Sequence, residues 1–135
     1  MPYHAPLDSF RMILDSVVGY DAVSRTDRFA EAGGDTVTAV LSEAGRLCED
    51  VIAPTNRTGD QHPAVLENGV VRTPPGFAEA YRAIAEGGWV SSSADPAHGG
   101  MGLPISLTTA VNEMMSAANM ALQTGPLMTQ GQIEA

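Results

Sequence analysis

An all-α fold, an antiparallel bundle of four to five helices with one short β-hairpin near residues 64–72, is what this sequence predicts. Three observations point to it. Apolar residues recur at i, i+3 and i+4 through several long segments, most clearly over 36–53. Glycines and prolines gather between those segments, above all over 87–104, where they mark stiff turns. The one strong β signal is Asn68-Gly69, set between the short β-prone runs of Ala64-Val65-Leu66-Glu67 and Val70-Val71-Arg72. The 135 residues suffice for one domain; 44% are apolar but only 5% aromatic, so the core is expected to be aliphatic with methionine as filler.

The elements follow in order. Leu7, Phe10, Leu14, Val17 and Val18 share one side of a helix over 7–18, and Gly19 is its expected C′ glycine. A short polar helix is expected around Asp27–Ala32, ahead of Gly33-Gly34. Over 36–53, Val37, Val40, Leu41, Ala44, Leu47, Cys48, Val51 and Ile52 keep helical spacing without a break. Asp35 is placed to cap that helix, and Ala53-Pro54 is its expected end, because a residue before proline avoids the α region. The stretch 54–74 is polar and broken by Pro54, Gly59 and Pro63, and its hairpin needs support from elsewhere, since two strands alone are marginal. Over 75–86, Pro75 suits a first turn, Phe77, Ala80, Tyr81 and Ile84 form a narrow stripe, and Gly87-Gly88 stops the helix. The last long helix is expected over 105–122, with Ile105, Leu107, Val111, Met114, Met115 and Ala118 apolar. Gly125-Pro126 then interrupts the backbone, and a new helical turn starts near Leu127. Gln132-Ile133-Glu134-Ala135 carries no stop signal, so a truncation at the C-terminus is expected.

Charge and cysteine content exclude several functions. The net charge is −9, and the seven basic residues are all arginine. No basic patch exists to neutralise phosphates, which argues against nucleic-acid binding. Cys48 is the only cysteine, so neither an internal disulfide nor a multi-cysteine metal site is possible, and a reducing, cytoplasmic setting fits. Asp8 comes early, with no basic n-region before an apolar run, so no signal peptide is expected. No apolar run approaches a membrane span.

The groups that carry chemistry are sparse. His4, His62 and His98 lie far apart and lack ligand partners at metal-motif spacing, so no metal site is expected. Cys48 falls on an apolar helix face and reads as a core residue. Gly99-Gly100-Met101-Gly102 matches neither the phosphate-loop nor the dinucleotide pattern, and the chain has no lysine, so it reads as a structural turn. Glu113 reads as a solvated or ion-paired side chain. The stretch Met120-Ala121-Leu122-Gln123-Thr124-Gly125-Pro126-Leu127-Met128 allows two readings, helix packing or the wall of an apolar pocket, with packing the simpler.

Three stretches resemble the N-terminal helical domain of acyl-CoA dehydrogenases, closest to a large-subunit branch that includes long-chain and methylthiopropanoyl-CoA dehydrogenases. They are Tyr3-His4-Ala5-Pro6-Leu7 with Phe10-Arg11-Met12-Ile13-Leu14, then Gly87-Gly88-Trp89-Val90 with Pro96 and Gly99-Gly100-Met101-Gly102-Leu103-Pro104, and finally Asn112–Asn119 with Gln123-Thr124. The resemblance covers 1–135 as one such domain, truncated at its C-terminus. It implies a parent flavoenzyme that binds FAD, removes an α-proton from an acyl-CoA thioester with a carboxylate base and passes hydride from the β-carbon to the flavin. It also implies a homo-oligomer and an acceptor of the electron-transfer flavoprotein type. The base and the main flavin contacts would lie beyond Ala135, so no catalytic residue is assigned and this piece is expected to be inactive alone. Gln123 and Thr124 match a Gln-Thr pair that lies along the acyl tail in medium-chain relatives, and Leu127 and Met128 would be neighbours on that wall. Gly125-Pro126 stands where those relatives continue a helix. Two other classes fit the composition: a stand-alone helical protein-interaction module docking through its Met-rich face, and a small-ligand carrier with an apolar cavity.

Overall fold

The apolar stripe that starts at Val37 winds into the helix that organises the molecule. The computed structural model describes residues 2–135, residue 134 by its backbone alone. Helix α3 spans Gly34–Leu47 and turns Val37, Leu41, Ala44, Gly45 and Leu47 inward. Its N-cap is Gly33, with no side chain bonded in the capping position, so Asp35 does not cap it as expected. Asp35 lies inside the first turn, where its charge still meets the positive end of the helix.

Nor does this helix stop at Pro54. It widens into a π turn over Cys48–Ile52 and continues as α4, Ala53–Gln61, with Pro54 in the first turn of α4. In a regular helix a proline ring collides with the carbonyl four residues back. The wider π turn just ahead relieves that collision, and the missing proline N–H lies at a junction where the bonding pattern is already changing.

The other elements are short. Helix α1 spans Leu7–Ile13 and runs into a π turn, Leu14–Val18, closed by Gly19 in the left-handed region at φ 68°. Phe10 and Leu14 reach the core, but Val17 and Val18 are exposed, because the extra residue of the π turn carries them off the buried side. Helix α2 is Tyr20–Ser24. The polar helix expected at Asp27–Ala32 is only a 3₁₀ turn, Asp27–Phe29. Strands β1, Val65–Glu67, and β2, Val70–Arg72, pair antiparallel with Leu66 opposite Val71. Asn68 and Gly69 both take positive φ, 52° and 78°, as the tight hairpin turn requires. The expected support is missing, since both strands are exposed along their length. Helix α5 is Phe77–Glu86, and α6 is Ile105–Glu134.

The core lies where α6 packs against α3, the π turn and α4. Leu41, Ala44, Cys48 and Ile52 meet Ile84, Trp89, Leu107, Val111, Met114 and Met115 there. The N-terminal segment straps this seam. The Tyr3 hydroxyl donates to the Met114 carbonyl at 3.2 Å, and the Ala5 N–H donates to Glu49 Oε1 at 2.8 Å. Among the described residues no helix is long and apolar enough to cross a membrane. The sequence-predicted class, a helical bundle with one small hairpin, is the observed one.

Candidate functional site

The site residues expected from sequence all fall in the second half of α6, so the path of that helix decides where they stand. Its first half turns Leu107, Ala110, Val111, Met114, Met115 and Ala118 into the core. The break expected at Gly125-Pro126 does not occur there. The helix runs through to Glu134, and the backbone leaves helical geometry at Asn119 instead, with φ −160° and ψ 96°. Pro126 is carried inside the helix and buried.

Asn119 is 1% exposed and uses both ends of its amide. Its Oδ1 accepts the Leu122 N–H at 3.1 Å, which is the bond an N-cap residue makes to the first turn of a new helix. Its Nδ2 donates to Thr55 Oγ1 on α4 at 2.8 Å, and the Thr55 hydroxyl donates to the Ile52 carbonyl at 2.6 Å. The half-helix that follows is therefore tied to α4 as well as to the chain before it.

The four expected wall residues do not share one face. Gln123 is 1% exposed and heads a run of side-chain amides. Gln123 Nε2 donates to Asn112 Oδ1 at 3.1 Å, Asn112 Nδ2 donates to Gln130 Oε1 at 2.8 Å, and Gln130 Nε2 donates to the Trp89 carbonyl at 3.1 Å. Gln123 Oε1 is buried without a hydrogen-bond partner. Thr124, Leu127 and Met128 stand outward at i, i+3, i+4, with Leu127 37% and Met128 66% exposed. The Thr124 hydroxyl donates to the Met120 carbonyl at 2.9 Å, so its polar group is spent and the stripe is apolar in effect. On the other side of Leu122, an open groove of about 520 Å³ is lined by Thr73, Phe77, Ala78, Tyr81, Arg82 and Ala85.

The glycine run is a closed turn. Gly99 and Gly102 adopt left-handed φ of 82° and 64°. A Cβ on Gly100 would lie 2.0 Å from the Ala94 carbonyl oxygen. The N–H groups of Gly99, Gly100, Met101, Gly102 and Leu103 donate to the carbonyls of Pro96, Asp95, Ser91, Ala94 and Ser92 in turn. With its donors spent on its own backbone, this loop cannot cradle a phosphate. Cys48 is fully buried, as its helix face implied. Glu113 is exposed, as a solvated side chain should be. Among the described residues no group of three His, Cys, Asp or Glu side chains could hold a metal ion.

Comparison with known proteins bears on this geometry. No protein-family model matches the sequence. Over all 135 residues it is 36% identical to the 3-methylmercaptopropionyl-CoA dehydrogenase of Ruegeria pomeroyi. The chain is homologous to acyl-CoA dehydrogenases. It is also 32% identical, over 111 residues and 81% of its length, to the broad-specificity linear acyl-CoA dehydrogenase FadE5 of Mycobacterium tuberculosis. It spans 23% of the length of the first acyl-CoA dehydrogenase and 18% of the second. Sequence reasoning missed Asn119 and Thr55. The available signal was an asparagine, a favoured N-cap type, directly after the last apolar position of the helical pattern, Ala118.

Proposed function

We propose that this chain is the part of a FAD-dependent acyl-CoA dehydrogenase that closes one side of the acyl site, and that it has no catalytic group of its own. The observation that carries this reading is the similarity of the whole chain to a dehydrogenase of a CoA thioester. The outward stripe of Thr124, Leu127 and Met128 is consistent with it, because a wall beside an aliphatic tail needs apolar contact and exclusion of water rather than acids and bases. Gln123 belongs to the wall as the buried strut behind that stripe.

The flavin, when bound, accepts the hydride in such a reaction. In this reading the main flavin contacts come from elsewhere in the enzyme, and the glycine-rich loop of this chain, with its donors engaged, serves as a turn. Acyl-CoA as substrate, an acceptor of the electron-transfer flavoprotein type and a homo-oligomeric assembly belong to the same reading.

The test uses the whole natural protein that carries this segment. A saturated acyl-CoA added without oxygen should bleach its visible flavin absorbance. A colourless whole protein, or a yellow one indifferent to every acyl-CoA, would overturn the assignment. The 135-residue chain with added FAD, acyl-CoA and an electron-accepting dye should show no turnover; turnover would place catalytic groups in this chain.

A further inference from the structure

We infer that the Asn119–Thr55 clasp is a positioning device, which sets the direction of the acyl wall by fixing the bend in α6. The inference rests on the reading of residues 123–128 as that wall. Its basis is a change in the buried face of the helix. With Leu107, Val111, Met114, Met115 and Ala118 inward, a straight α6 would next bury Ala121, Leu122 and Gly125. Instead Ala121 and Gly125 are exposed, while Asn119, Leu122, Gln123 and Pro126 are buried. The buried face has advanced by about one residue, which is roughly 100° of helix rotation.

Asn119 marks the point where this happens, and the cause is legible there. Its extended φ/ψ breaks the helical ladder, and its Oδ1 starts a new ladder at Leu122. Its Nδ2 fastens the junction to Thr55, on an element outside α6. A buried amide bonded at both ends holds one geometry, since leaving either end unpaired costs free energy. Downstream, the amide run from Gln123 through Asn112 and Gln130 to the Trp89 carbonyl holds the second half against the first. The rotation is what turns Gln123 inward and carries Met128 outward, so that it joins Thr124 and Leu127 in one stripe. Asn119 and Thr55 touch no substrate in this scheme; they aim the residues that would.

Three variants test it: Asn119→Ala, which loses cap and clasp; Thr55→Val, which keeps the cap but loses the clasp together with the Thr55 bond to the Ile52 carbonyl; and Thr55→Ser, which keeps the hydroxyl and both its bonds. In the 135-residue chain, amide exchange at Leu122 should rise about tenfold or more in Asn119→Ala and less in Thr55→Val, relative to Met114 in the same helix, with Thr55→Ser near wild type. In the whole protein, the ratio of kcat/KM for a long and a short acyl-CoA should shift by about fivefold or more in Thr55→Val, with Thr55→Ser restoring it. A ratio unchanged in Thr55→Val while Leu122 exchange rises would overturn the positioning role. Unchanged exchange in both Asn119→Ala and Thr55→Val would show that no clasp exists. A wild-type protein that oxidises no acyl-CoA would sink the dehydrogenase reading itself, and the exchange data would separate that failure from an absent clasp.

Discussion

At Cys48, burial silences the one thiol of the chain. It is fully buried beside Ala44 and Ile52 in the core, and burial first, then the neighbouring Glu49 charge, pushes its pKa from 9.0 to about 12. Tyr3 is raised from 10.0 to about 12, again by burial first, with smaller contributions from Cys48, Glu49 and Glu113. Both folded values lie above the unfolded ones, so the native state keeps protons that the unfolded state sheds. Stability is therefore unaffected by these groups below pH 9.0 and falls as pH rises from 9.0 towards about 12. The expected outcome is a lower urea midpoint at about pH 10.5 than at about pH 8, with a smaller loss in Cys48→Ala. A thiol reagent should react with the native chain only as fast as the protein opens; fast labelling under native conditions would contradict the buried position.

Among the elements, the loop over 87–104 is the most demanding of its sequence. Gly88, Gly99 and Gly102 have positive φ, and Gly100 has no room for a side chain. Gly100→Ala should cost about 2–4 kcal/mol, since the Ala94 carbonyl would have to move and carry its bond to the Gly102 N–H with it. Gly131→Ala, with open space around it near the end of α6, should be neutral or stabilising by up to about 1 kcal/mol. Thermal unfolding of the pair checks this, and equal effects would mean that the loop is looser than its bonds imply. Element boundaries were partly legible. Asn-Gly and Gly87-Gly88 declared themselves because local sterics alone dictate such turns. Pro54 and Gly125-Pro126 misled, because a breaker acts locally and can be absorbed by what surrounds it. A π turn absorbs Pro54, and the bend moved to Asn119, where a partner on another helix was available.

At the scale of the molecule, the chain leaves much apolar surface uncovered. Met12 on α1 and Val17 on the π turn after it, Leu66 and Val71 on the hairpin, Ile105 at the start of α6, and Met120 and Met128 beyond are all more than half exposed. A lone chain is expected to relieve this by association, since extended apolar patches are uncommon on soluble monomers. Light scattering after size-exclusion chromatography should give a mass above that of one chain, falling with dilution; a stable monomer at high concentration would count against it. The sequence by itself determined the class, the hairpin turn, the glycine loop and the burial of Cys48. Each follows from side-chain spacing or from backbone sterics within a few residues. Tertiary structure alone decided that the long helix survives Pro54, that α6 bends at Asn119, and that Gln123 parts from Thr124, Leu127 and Met128. The first depends on a π turn that spacing alone does not reveal; the other two depend on hydrogen bonds between residues far apart in the chain, 64 positions for Asn119 and Thr55, and no local pattern encodes which distant group will be there to accept them.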